Sequence, residues 1–109
     1  MYTHIVKKSK FIAYSFSIKT PKEVKEKLEE IKNEHKDARH IVYAFLTSNT
    51  GGMSDDGEPS GTAGKPLMNL LNLKKKENTL VIVVRYFGGK KLGAGGLIRA
   101  YVAAAKNVL

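Results

Sequence analysis

Eight of the ten glycines in this chain fall in two short segments, Ser54–Pro66 and Arg85–Leu97. Glycine loses more backbone freedom on folding than any other residue, so such a concentration marks tight turns or close approach of backbone to another group. Each segment leads into a stretch with helical periodicity. The second follows Thr79-Leu80-Val81-Ile82-Val83-Val84-Arg85-Tyr86, the clearest buried strand in the sequence. The chain therefore has to fold so that two glycine-rich loops sit at the starts of helices, which is also where backbone N–H groups are free to meet a ligand.

The remaining elements follow from pattern. Residues 2–18 read as extended, with Ile12, Tyr14, Phe16 and Ile18 on one face, and Lys7-Lys8-Ser9-Lys10 as a turn or bulge between two strands. Thr20-Pro21-Lys22-Glu23 is a helix start, with Thr20 as cap, Pro21 in the first helical position and Glu23 completing a capping box. Val24, Leu28, Ile31 and His35 then share a face. His40–Leu46 reads as a central strand, residues 47–61 as a long connection, and Thr62 to about Leu73 as a second helix with Pro66 in its first turn. Leu97, Ala100, Tyr101, Ala104 and Val108 define one side of a final helix. The expected class is α+β: a two-layer α/β sandwich in which a sheet of about four strands is covered on one face by three helices. The 109 residues are expected to form one domain, 1–109.

Charge narrows the kinds of partner. The formal net charge is +9. Residues 1–20 carry four lysines and no acid, residues 21–58 carry an acidic excess, and residues 59–109 carry nine bases against Glu77 alone. A positive field placed in this way favours a polyanion such as RNA, the ribosome or a phosphorylated molecule; solvated lysine faces are the plainer alternative. There is no cysteine, which excludes disulfides, thiolate chemistry and cysteine metal sites and fits a cytoplasmic setting. No apolar run approaches the length of a membrane span, and the first residues reach Lys7 without the apolar core of a signal peptide.

Known nucleotide motifs fail on particular residues. A P-loop would need glycine at Pro59 and Ser or Thr at Pro66. The dinucleotide fingerprint has Gly93 and Gly95 but Ile98 in place of its third glycine. The physics behind both motifs survives, since a glycine loop that opens a helix aims N–H groups and a positive dipole end outward. Gly93, Gly95 and Gly96 with Lys90, Lys91 and Arg99 are thus a candidate anion site, and close packing of the last helix on the sheet is the alternative reason for the same glycines. Asp55, Asp56 and Glu58 are the one acidic cluster outside the first helix; they suit loop orientation or a helix start as well as a hard cation. Ser54, Ser60 and Thr62 with His40 have no spacing that ties them into a nucleophilic set. Arg85-Tyr86-Phe87 with Lys90-Lys91, then Arg99 and Tyr101, interleaves bases with aromatics as nucleic-acid surfaces do, although Phe87 and Tyr101 suit a core equally well.

The long motifs Ser54–Pro66, Val83–Gly89 and Leu92–Tyr101, together with Ser9-Lys10-Phe11 and Asp37-Ala38-Arg39-His40, closely resemble the Impact/YigZ family. The resemblance covers nearly the whole chain. It implies a fold shared with the second domain of a small-subunit ribosomal protein and a translation-linked role. Eukaryotic relatives regulate initiation under starvation by competing for the activator of an initiation-factor kinase, and bacterial ones look RNA- or ribosome-associated. The extra N-terminal domain of the eukaryotic regulators and the C-terminal ferredoxin-like domain typical of bacterial members are both missing from these 109 residues. The resulting expectation is a non-enzymatic translation-associated module with no cofactor, no metal and no membrane partner, engaging RNA, the ribosome or a translation factor. Arg39, Lys65, Arg85, Lys90, Lys91, Gly93, Gly95, Gly96 and Arg99 would meet the anion, while Asp55, Asp56, Glu58, Ser60, Thr62 and His40 would shape the loop or meet a partner. An enzyme or sensor for a small phosphorylated ligand, with metal assistance, is the alternative.

Overall fold

The computed structural model describes all residues, Met1–Leu109. In chain order the elements are β1 (Tyr2–Val6), β2 (Ser9–Ser17), α1 (Pro21–Glu34), β3 (His40–Leu46), β4 (Gly51–Ser54), α2 (Gly64–Leu73), β5 (Thr79–Tyr86) and α3 (Gly93–Ala105). The strands form one antiparallel sheet in the order β1-β2-β5-β3-β4. β5 lies at its centre, with Val83 opposite Ala13 on one side and Val42 on the other.

Alternation along β5 explains how the layers assemble. Successive side chains of a strand point to opposite faces. Val81 and Val83 join Phe11, Ala13, Val42 and Ala44 under Leu67 and Leu71 of α2 and Leu97, Ala100 and Tyr101 of α3. Leu80, Ile82 and Val84 join Ile12, Ile41 and Phe45 on the other face, against Val24 and Ile31 of α1. Residues 80–84 are consequently buried without interruption.

The α+β class and the packing of helices on a sheet agree with the sequence reading, and two details differ. The sheet has five strands rather than about four. The fifth, β4, lies inside the expected long connection, where Thr47 closes a tight turn by pairing its N–H with the Thr50 carbonyl at 2.8 Å and accepting the Thr50 N–H on its hydroxyl at 3.0 Å. Gly-Gly-Met-Ser has weak strand propensity, and its glycine at 52 is required because a Cβ there would lie 2.6 Å from the Phe45 ring. In addition, α1 covers the face opposite α2 and α3, because its apolar stripe meets the even-numbered side chains of β5. His35 anchors the end of that helix, with its ring nitrogens 2.7 and 2.6 Å from the hydroxyls of Tyr14 and Tyr86.

The lysine-rich bend between β1 and β2 is a two-residue turn. Lys7 and Lys8 both have positive φ, 47° and 68°, in a geometry that ordinarily selects Asn or Gly. Ser9 behind it is fully buried and its hydroxyl accepts the Gly88 N–H at 3.1 Å. A Cβ at Gly88 would fall 2.1 Å from the Lys8 carbonyl carbon, so the backbone of the second glycine loop presses directly on this turn.

Truncating the middle of β5 should be costly. Ile82→Ala removes a fully buried side chain from the α1 face and is expected to destabilise the protein by about 2–5 kcal/mol. Urea unfolding monitored by circular dichroism would measure this, with the midpoint falling at unchanged slope.

Candidate functional site

The first glycine loop is held by its acids. Both oxygens of Asp55 accept backbone N–H groups at the start of α2, from Gly61 at 3.0 Å, Ala63 at 3.2 Å and Gly64 at 2.8 Å. An aspartate eight and nine residues upstream thus caps a helix whose own N-cap residue, Ala63, has no side chain to do so. Burial opposes ionisation of Asp55, but the three N–H donors prevail and hold its carboxyl below the usual value. Asp56 accepts the Ile41 N–H at 2.7 Å and offers its own carbonyl to His40 Nδ1, also at 2.7 Å, which stitches the loop to β3. Thr62 is buried, and its hydroxyl donates to the Pro59 carbonyl at 2.6 Å.

Glu58 reaches deepest. Its carboxylate is buried beside Arg85, whose Nη1 donates to both oxygens at 2.9 and 2.8 Å. The Tyr101 hydroxyl of α3 donates to the same carboxylate, and His40 Nε2 stands 3.4 Å from Oε1. Burial first, then the hydrogen bond and charge of Glu58, push the Tyr101 hydroxyl far above its ordinary pKa, so it remains a donor. Arg85 Nε is buried with no hydrogen-bond partner. The three carboxylates of this loop therefore serve three separate sets of donors and do not converge on a common point.

Above this network the two glycine loops meet. A cleft of about 400 Å³ is lined by Arg39, His40, Glu58, Arg85, Phe87, Lys91 and Gly93, with Pro59, Leu92, Ala94 and Leu97 completing its walls. One wall is the amino end of α3, which has neither an acidic residue in its first turn nor a side-chain cap. Phe87 is 43% exposed, with the Arg39 and Arg85 guanidinium carbons 5.1 and 5.7 Å from its ring centre.

The sequence-predicted residues thus divide. Arg39, His40, Glu58, Arg85, Lys91 and Gly93 share the cleft. Arg85 sits there as a buried, paired charge and not as a free surface cation. Lys65 and Ser60 border a different depression beside Asp55, and Arg99 and Gly96 border a third with His4 and Lys7. Lys90, Gly95, Asp56 and Thr62 line none of these. Of the two aromatics left open by the sequence, Tyr101 is core and Phe87 is surface. Lys7 and Lys8 were outside the expected site; the Lys8 backbone packs against Gly88, next to Phe87 in the chain, while Lys7 borders the depression that holds Arg99.

The profile of the Impact N-terminal domain matches residues 7–109. The chain belongs to the Impact N-terminal domain family. Its relatives include IMPACT family member YvyE of Bacillus subtilis, 43% identical over 100 residues, covering 89% of this chain and 46% of that protein. IMPACT family member YigZ of Escherichia coli is 39% identical over 109 residues, with coverages of 95% and 53%. The chain spans about half the length of these relatives. A crystal structure of a hypothetical protein superposes with a TM-score of 0.93 at 38% identity, over 97% of this chain and 54% of that one. The two-domain translational regulator Yih1 shares the fold, with a TM-score of 0.59 at 20% identity over 94% of this chain and 45% of that one.

Two measurements probe the scaffold of the site. Glu58→Ala leaves Arg85 buried without a counter-charge and is expected to cost about 3–5 kcal/mol in chemical denaturation. Asp55→Ala should cost about 0.5–2 kcal/mol near neutral pH through the lost helix cap. Because the folded carboxyl titrates below its unfolded value, this contribution is complete above the unfolded value of about 3.9 and is lost as pH falls through the lower folded one. The gap between wild type and Asp55→Ala in urea midpoint should therefore narrow in acid.

Proposed function

We propose that this chain is a non-enzymatic, translation-associated binding module that engages RNA through the cleft between its glycine loops. The observation that carries this reading is the meeting of Arg39, Lys91 and the uncapped amino end of α3 around one cavity. None of Arg39, Lys90 and Lys91 is within ion-pair distance of a carboxylate, so their charge is available to an anion. A helix amino end adds N–H donors and a favourable dipole for phosphate. The net charge of +9 adds a long-range field of the same sign. A role in translation is supported by kinship with the IMPACT homologue of Schizosaccharomyces pombe, 33% identical over 92 residues, and by the description of the fold neighbour Yih1 as a translational regulator. In the first loop Ser54 Oγ accepts the Asp56 N–H at 3.1 Å, Thr62 Oγ1 donates to the Pro59 carbonyl and His40 Nδ1 pairs with the Asp56 carbonyl, so these side chains serve the loop's own backbone.

The cavity volume favours a second reading, a small phosphorylated ligand, because about 400 Å³ falls within the range of small-molecule sites. Binding of a nucleoside monophosphate with no detectable RNA affinity would select it.

Salt dependence tests the first reading. Replacing Lys90 and Lys91 by Ala should weaken binding of single-stranded RNA and flatten the plot of log affinity against log salt by about 0.7 per phosphate contact removed. An unchanged slope and affinity, measured by fluorescence anisotropy over a salt series, would remove both lysines from the interface.

A further inference from the structure

Phe87 stands apart from the other aromatics that flank β5. The strand alternation that buries Leu80 through Arg85 ends at Tyr86, and Phe87 emerges into the cleft with 43% of its surface exposed. Two guanidinium groups hold the ring in place. Arg85 is neutralised by Glu58, whereas Arg39 is exposed and has no acidic partner. An exposed ring beside an unneutralised guanidinium, in a cavity with glycine in its walls, offers a flat apolar surface and a charge at once.

The residue after Phe87 is Gly88, which abuts the Lys7–Lys8 turn. Both lysines are exposed, unpaired and held at positive φ, a conformation that residues with a Cβ rarely adopt. The fold thus keeps two like charges on a turn whose backbone packs against Gly88, the residue that follows the ring, with Lys91 and the amino end of α3 on the cleft wall.

We propose that Phe87 stacks one unpaired base of a single-stranded RNA, with the phosphates on one side of that base lying along Arg39, Lys91 and the start of α3 and those on the other along the Lys7–Lys8 turn. This rests on the RNA-binding reading above and makes it specific. Base stacking on an aromatic ring is tolerant of sequence and requires the base to be out of a duplex. A cavity of about 400 Å³ suits one such base and not a paired helix. Bound RNA therefore crosses the cleft as a single strand, and the hairpin turn between β1 and β2 is part of the interface.

The chain has no tryptophan, so Phe87→Trp introduces a lone reporter at the stacking position. Oligouridylate should quench its emission, while inorganic polyphosphate and an abasic oligonucleotide, equal in charge, should not. Phe87→Ala should weaken oligouridylate binding roughly 5- to 100-fold and leave polyphosphate binding unchanged. Lys7→Ala with Lys8→Ala should weaken both ligands and reduce the salt slope. Phe87→Leu, which keeps an apolar side chain at the site, separates loss of stacking from loss of folding: it should retain the unfolding midpoint of the wild type and show the weakened RNA binding. If wild type binds oligouridylate while Phe87→Trp is unquenched and Phe87→Ala binds as wild type, base stacking is overturned and RNA binding stands. If wild type binds no RNA at low salt, the RNA reading itself is overturned, and this inference with it.

Discussion

The buried ion pair between Glu58 and Arg85 joins three parts of the molecule that are far apart in sequence. Arg85 belongs to the central strand, Glu58 to the first glycine loop, and Tyr101, which donates to the same carboxylate, to the last helix. Desolvating two charges is expensive, and a pair of this kind is a weak source of net stability. Its effect here is positional. A carboxylate that must be satisfied by one guanidinium and one phenol has a single place to sit, and that place draws the Ser54–Pro66 loop down onto the end of β5. The cleft lies directly above, so its floor is set by the requirement that a buried charge be matched.

Around this pair the acids of the first loop act as fasteners. Asp55 caps α2 from a distance, Asp56 ties the loop to the start of β3, and Glu58 enters the core. Of the three carboxylates, Glu58 alone is matched by a guanidinium, while Asp55 and Asp56 are held by backbone N–H groups. Arg39, Lys90 and Lys91 have no carboxylate within ion-pair distance.

Much of the fold was legible because burial leaves a period in sequence. The continuous apolar run at 80–84, the amphipathic stripe from Val24 to Ile31 and the capping sequence at Thr20–Glu23 each carry their own local signal, and each element formed near its expected bounds. β4 carried no such signal: Gly52 makes room for the Phe45 ring, and a Cβ at Gly51 would crowd Leu46 and the Phe45 carbonyl. The side of the sheet that α1 covers was also beyond local patterning, since an amphipathic helix states that it has an apolar face but not which sheet face receives it. Of the residues expected to meet an anion, Arg39, Lys91 and Gly93 line the cleft, whereas Lys65 and Arg99 border other depressions. Placing Arg85 as a free cation was not supported, because charge in sequence says nothing of the partner that neutralises it. Phe87 and the Lys7–Lys8 turn depended on the contact across Gly88, a long-range packing event with no trace in either segment alone.

That contact has a steric consequence. With no side chain at 88 and the buried Ser9 hydroxyl accepting its N–H, the tip of the β1–β2 hairpin and the segment carrying Phe87 pack backbone to backbone. Any side chain at 88 would force the hairpin tip away from the segment that carries Phe87, so the spacing between those two parts depends on one residue having no Cβ.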